Sequence, residues 1–166
     1  MLIYKTGDLM VADEPIILHG CNAQGVMGSG VAKAIREVYP EAYAGYRAAY
    51  ELSGLRVGQI VWVPTKGKFI ANAVSQEWFG RDGKQYVSYQ GIESIFVQVY
   101  DWITENIDDD YHDIPVVAIP RIGSSLGGGD WKTISQIIEF AMKDRHVVVY
   151  DLPLTNAEPH AISNPT

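Results

Sequence analysis

Cysteine is nearly absent from this chain of 166 residues: Cys21 stands alone, so no internal disulfide and no multi-thiolate zinc site can form. Histidine is scarce as well, and His19, His112, His146 and His160 are too scattered to show metal-ligand spacing. No apolar run reaches the roughly 18 residues that a membrane span needs, and no basic segment followed by an apolar stretch trails Met1, so neither a span nor a secretion signal is expected. Positive charge is short: 13 Lys+Arg stand against 20 Asp+Glu, a net charge of −7. That balance disfavours direct contact with a nucleic-acid backbone or an anionic membrane. Two nucleotide fingerprints are missing too. Gly25 to Gly30 reads G-x-x-G-x-G rather than G-x-G-x-x-G, and the Gly-Lys pairs at 67–68 and 83–84 are followed by Phe and Gln rather than Ser or Thr. A Rossmann dehydrogenase and a P-loop enzyme are thereby disfavoured.

What is present is an ordinary globular composition, 47% hydrophobic and 20% charged, long enough for one domain with a real core. Short apolar runs alternate with amphipathic stretches. Residues 2–5 and 15–22 read as strands, the second so continuous in Ile16, Ile17 and Leu18 that it suits a strand covered on both faces. A helix over 30–38 carries Val31, Ala34, Ile35 and Val38 on one side, and Pro40 breaks it before a second helix over 41–52. Residues 59–64 and 68–75 form a hairpin about Thr65-Lys66-Gly67, followed by a charged, glycine-containing loop over 76–87. Ile92, Ile95, Phe96, Val99, Trp102 and Ile103 mark one face of a helix over 89–106. After the acidic turn 108–110 come a buried strand over 114–120, a glycine-rich loop over 121–129, a helix from 130 to 144 and a last strand over 146–152. The expectation is one α/β domain over 1–153, a three-layer α/β/α sandwich about a mixed, largely parallel sheet, with 154–166 as a flexible tail.

Ligands of open α/β sheets collect where strands lead into helices, beyond the carboxyl ends. Two such loops are rich in glycine, 20–31 (GCNAQGVMGSGV) and 121–129 (RIGSSLGGG). Glycine lets backbone N–H groups approach an anion, and a helix start adds partial positive charge, so the pair can hold a pyrophosphate with little help from Lys or Arg. Taken singly, each loop is equally well explained as a tight strand-to-helix turn.

HGCNAQGVMGSGVAKAIREVYPEAYAGY (19–46) followed by PRIGSSLGGGDW (120–131), with YKTGDL (4–9) before and VYDL (149–152) after, resembles a macro domain. The resemblance is to the branch that holds ADP-ribose 1″-phosphate phosphatases and terminal ADP-ribose protein hydrolases. It implies that Asp8 accepts from the adenine amino group, with Leu9 helping, and that Asn22 contacts the distal ribose. It implies that Met27, Gly28, Ser29, Gly30 and Val31 line one side of the diphosphate, and Ile122, Gly123, Ser124, Ser125 and Leu126 the other. Tyr150, Asp151 and Leu152 then flank the adenosine. Each has an ordinary explanation beside this one: Asp8 as a turn residue, Asn22 as a loop tie, Tyr150 as a strand aromatic.

The catalytic reading is divided. Hydrolases of the resembled family use a lysine just after the strand at 68–75, and Val74-Ser75-Gln76-Glu77 puts none in register. The phosphatase branch has a histidine where HGCN places His19, able to serve as acid, base or nucleophile. A histidine in an Ile-Ile-Leu-His strand is also a common core residue. Asp130 matches an acid of some hydrolases and is equally a natural helix N-cap. The leading expectation is an enzyme hydrolysing ADP-ribose 1″-phosphate with His19 and Asp130 as catalytic residues; the alternatives are an ADP-ribosyl hydrolase acting on protein or DNA, and a non-catalytic ADP-ribose reader. The partners implied are ADP-ribose, ADP-ribose 1″-phosphate or ADP-ribosylated macromolecules, with no cofactor, no metal, a monomeric state and a cytoplasmic location. Because backbone amides rather than a basic patch would hold the diphosphate, affinity for ADP-ribose measured by calorimetry should fall only modestly with added salt; a steep dependence would reveal a cationic surface instead.

Overall fold

The buried run Ile16-Ile17-Leu18 sits near the middle of the sheet, as a strand apolar on both faces must. The computed structural model describes residues 1–153; the tail expected over 154–166 lies outside them. Ten main elements follow in order: β1 (Leu2–Thr6), β2 (Ile16–Asn22), α1 (Gly30–Val38), α2 (Pro40–Ser53), β3 (Ile60–Thr65), β4 (Lys68–Gln76), α3 (Tyr89–Asn106), β5 (Val117–Ile119), α4 (Trp131–Met142) and β6 (Val147–Asp151). Short 3₁₀ turns at Leu9–Val11 and Asp109–Tyr111 complete them. The sheet order is β1-β6-β5-β2-β4-β3, parallel throughout except for β3, which pairs antiparallel with β4 at one edge. This is the three-layer sandwich with a mixed, largely parallel sheet that the alternation of patterns implied.

Residue parity along β2 assigns the two layers. Ile16 and Leu18 pack with Ile92, Phe96, Ile134 and Ile138 of α3 and α4, whereas Ile17 packs with Ile35 of α1 and Ala42 of α2. α3 buries Ile92, Ile95, Phe96, Val99 and Ile103 in the core, and Trp102 stacks on Trp62 of β3 at 5.2 Å. Pro40 opens α2 as its first residue, where its missing N–H costs nothing. The hairpin closes over Lys66 and Gly67, the latter at φ +71°.

Two expectations need correction. The strand anticipated over 114–120 shrinks to Val117–Ile119, because Pro115 and Pro120 bound it and neither can donate to a ladder. Helix α1 buries Ile35 but leaves Val31 and Val38 exposed: in this short helix Ile35 reaches the core, and Val31, in its first turn, lines a cleft instead.

His19 lies inside the fold. It is wholly buried and its Nε2 is 2.7 Å from Oδ1 of Asn72, its register partner on β4. Asn72 Nδ2 donates to the carbonyls of Ala42 and Val61, which makes Oδ1 the acceptor and puts the imidazole proton on Nε2. Burial pulls the His19 pKa down to about 4, against a smaller upward pull from the Asn72 bond. A histidine kept neutral in the native state and free to charge in the unfolded one stabilises fully above its unfolded pKa near 6.5. That contribution is lost as pH falls from about 6.5 through about 4. Unfolding by denaturant should therefore show stability dropping by about 3 kcal/mol across this window from His19 alone. His19→Gln should flatten the profile; equal slopes in the two proteins would contradict the assignment.

Candidate functional site

β2 and β5 are neighbours in the sheet, yet β2 runs on to α1 on one face and β5 to α4 on the other. They pair only through Ile16 with Val117 and Ile17 with Ala118, then part, while β2 stays paired with β4 to its end. Diverging chains leave a crevice above the carboxyl ends of the strands. It is a cleft of about 850 Å³ extending from Asp8 and Tyr150, beyond β1 and β6, to Asn22, Ser75 and Phe79, beyond β2 and β4.

Its floor and walls are mostly backbone and apolar surface. Gly28, Ser29, Gly30, Val31 and Ala32 line it at the start of α1. The N-caps of α3 and α4 are closed by side chains, Ser88 on Gly91 N and Asp130 on Thr133 N, but Ser29 makes no such bond. The first amides of α1 are thus left facing the cleft without a capping side chain, together with the positive end of the helix. Opposite stand Ile122, Gly123, Ser125 and Leu126. Gly123 and Gly128 hold φ of +77° and +69°, and Gly129 N donates to Gly123 O at 2.8 Å, so the loop closes on itself and keeps its shape.

Asp8 caps its 3₁₀ turn by accepting from Met10 N at 2.9 Å through Oδ1, which leaves Oδ2 for a donor in the cleft. Tyr150 lines the same end. Its hydroxyl donates to Glu14 Oε2 at 2.7 Å, and burial with that carboxylate raises its pKa to about 12. The ring is thereby held and the Tyr150 hydroxyl is spoken for. Asn22 ties its own loop, accepting from Gln24 N at 2.9 Å and donating to Val26 O at 2.8 Å, which leaves one Nδ2 proton for a ligand.

Several expected residues fall outside the lining. His19 sits below it, as described. Asp130 is exposed and bound to Thr133 through both the backbone N–H and the hydroxyl, bonds that depress its pKa. Met27 is buried beneath its loop, and Ser124 donates to Arg121 O at 2.7 Å. Asp151 grips Arg121 in a two-pronged pair at 2.7 and 2.9 Å, and Tyr4 and Trp131 flank that guanidinium.

Leu9, Leu152, Gly28, Ser29, Gly30, Val31, Ile122, Gly123, Ser125 and Leu126 do line the cleft with Asp8, Asn22 and Tyr150. Sequence reasoning missed Cys21, Ser75 and Arg121 as lining residues and left open the path of the loop over 76–87, whose Gln76, Phe79 and Arg81 line the cleft as well. The Arg of PRIG and the aromatic-basic run WFGR were the available signals. Cys21 is buried, and burial pushes its thiol pKa up, so it is no thiolate nucleophile. Among the described residues, no group of His, Cys, Asp and Glu could hold a metal ion.

The second loop is packed tightly enough to test. A Cβ on Gly128 would collide with the carbonyl oxygen of Lys84, whereas one on Gly67, also at positive φ, meets nothing within 4 Å. Gly67→Ala should cost only the conformational strain, about 1 kcal/mol. Gly128→Ala should cost clearly more in the same denaturation experiment, and equal costs would show that the loop yields freely.

The family model for the macro domain matches residues 18–138. A DNA ADP-ribosyl glycohydrolase of Mycobacterium tuberculosis is 29% identical over 158 residues, which cover 90% of this chain and 42% of that protein. An ADP-ribose 1″-phosphate phosphatase of Neosartorya fischeri is 49% identical over only 43 residues, 25% of this chain and 22% of that protein. Among solved structures, the macrodomain of Mycobacterium tuberculosis DarG is 26% identical with a TM-score of 0.74, covering 93% of this chain and 99% of that one. The chain spans less than half the length of the curated glycohydrolases it matches. With the family model matching most of its length and the fold agreeing, the chain belongs to the macro domain family.

Proposed function

We propose that this chain binds ADP-ribose in the cleft and releases it from an ADP-ribosylated acceptor. The observation that carries the reading is the meeting of the uncapped start of α1 with the 121–129 loop across a cleft whose lining contains Asp8 as its sole carboxylate among the described residues. Adenine sits against Tyr150, its amino group donating to Asp8 Oδ2. The diphosphate takes the amides of 28–32 and 123–126, and the distal ribose reaches Asn22, Ser75 and the 76–87 loop. Backbone donors and a helix start hold much of a dianion's charge without a large cationic patch.

An acceptor-linked substrate is preferred to the 1″-phosphate for two reasons. His19, which motivated a phosphatase, lies under α2 with both its charge and its access suppressed. The phosphatase likenesses cover 25 to 40% of the chain, whereas the glycohydrolase likeness covers 90%. Hydrolysis breaks the bond from the anomeric carbon to the acceptor and forms one to a water oxygen, with a proton passing to the departing acceptor; because the state between is oxocarbenium-like, positioning of the sugar and of that water matters greatly. A second reading, a reader that binds without turnover, is favoured by one specific feature: the described lining contains no His, Lys or Glu.

Calorimetry with ADP-ribose should give one site, and Asp8→Ala should weaken it roughly tenfold, the effect of losing one charge-assisted hydrogen bond. ADP-ribosylated DNA should yield free ADP-ribose, and ADP-ribose 1″-phosphate should yield no phosphate above a heat-killed control. Turnover of the phosphate ester alone would restore the phosphatase, and binding without any product would establish the reader.

A further inference from the structure

We propose that Glu14, a carboxylate outside the cleft, is a positioning residue: through Tyr150 it registers the face offered to a purine with the edge acceptor Asp8, and so sets selection of adenine over a 6-oxo purine. The inference rests on the ADP-ribose reading of the cleft and names a determinant of base specificity at that site.

Glu14 is an acidic side chain in an unusual place. It is only 5% exposed, yet it belongs to the irregular stretch before β2 and does not line the cleft. A carboxylate taken out of water must be paired and hydrogen-bonded. Two neighbouring strands supply the partners: Tyr150 donates its hydroxyl to Oε2 at 2.7 Å, and the Lys5 ammonium stands 3.5 Å from Oε1. Lys5 of β1 and Tyr150 of β6 are register partners, so one carboxylate gathers both strands.

The segment that ends in Glu14 begins at Asp8. Asp8 Oδ1 accepts from Met10 N, and Asp8 O accepts from Val11 N. Tyr39, between α1 and α2, donates to Met10 O, and Lys68 of β4 donates to the carbonyls of Ala12 and Glu14. The segment is therefore held along its length, and the bond from Tyr150 clasps β6 to it. The Tyr150 ring lines the cleft, while its hydroxyl is anchored on Glu14. A ring held at its far end cannot swing, so face and edge keep a fixed relation. An adenine amino group then donates to Asp8 Oδ2. A 6-carbonyl in its place would set two acceptors against each other. That discrimination has force only while the base cannot slide along the ring.

The test measures Kd by calorimetry for ADP-ribose and for inosine diphosphate ribose, whose 6-carbonyl replaces the amino group. Wild-type protein should prefer ADP-ribose by roughly tenfold, the effect of one hydrogen bond to a charged acceptor. Tyr150→Phe keeps the ring and removes the hydroxyl; it and Glu14→Ala should each reduce the preference to about threefold or less. Glu14→Gln keeps an acceptor for the phenol and should retain the preference. Its lost charge should show in the phenol itself: ultraviolet difference titration against Tyr150→Phe should find Tyr150 ionising below its value of about 12. An undiminished preference in Tyr150→Phe, even where both ligands weaken together, would overturn the proposal. So would a Glu14→Gln protein no more selective than Glu14→Ala, or a Tyr150 ionisation that Glu14→Gln does not move. Wild type binding the two nucleotides alike would instead strike the placement of adenine at Asp8, and wild type binding neither would strike the reading of the cleft.

Discussion

The parting of β2 from β5 is the constraint from which the site follows. Two parallel neighbours that send their helices to opposite faces cannot stay paired to their ends without forcing the following loops through each other. Pairing stops after Ile17 and Ala118, and the gap is walled by whatever the two loops present. Glycine at Gly28, Gly30 and Gly123 ensures that what they present is backbone. The long ladder of β2 with β4 does the complementary work: it carries Asn22 and Gln76 to adjacent strand ends and brings the following segment, with Phe79 and Arg81, to the same opening.

A cleft of this kind shapes its electrostatics without spending net charge. The lining arginine Arg121 is paired with Asp151 and sandwiched near Tyr4 and Trp131, so it braces β6 against the second loop more than it attracts an anion. Asp151 and Arg121 each stabilise the charged form of the other. Attraction for an anion comes from the uncapped start of α1, whose partial charge acts over about one turn, and from Arg81, which lines the cleft and forms no ion pair among the described residues. The acidic total of the chain and an anionic ligand are therefore compatible, because the first is spread over the surface and the second meets local dipoles.

The fold was legible wherever periodicity was strong: the five-residue inward face of α3, the doubly buried β2, the Lys66-Gly67 hairpin. The two glycine loops were legible as a site because they follow strands and open helices. What could not be read was the destination of individual side chains near the strand ends. Val31 continues the apolar face of α1 in sequence yet turns to the cleft, since it lies in the helix's first turn, where the lining begins. His19 looked available because it precedes a functional loop, but it stands three residues before the end of β2, where α2 covers the sheet. The decisive clue was Asn72, a polar residue inside the apolar run of β4 at the paired register position; only strand pairing reveals that the two polar groups satisfy each other. The positions of Arg81 and Phe79 stayed open because a loop's path depends on bonds to Ala23 and Gly127 that no local pattern announces.

Seen together, the burial of His19 and the capping role of Asp130 shift the weight of chemistry away from titratable side chains on this framework. In the described lining Cys21 is held as a thiol and Asp8 stands at the end opposite Asn22 and Ser75, so what that end offers is an amide and a hydroxyl. Under the hydrolysis proposed above, catalysis rests on the positioning of the sugar and of the attacking water. Floors built from backbone change little when a side chain is substituted, so the shape of this cleft is set by the paths of its two glycine loops rather than by the side chains they carry.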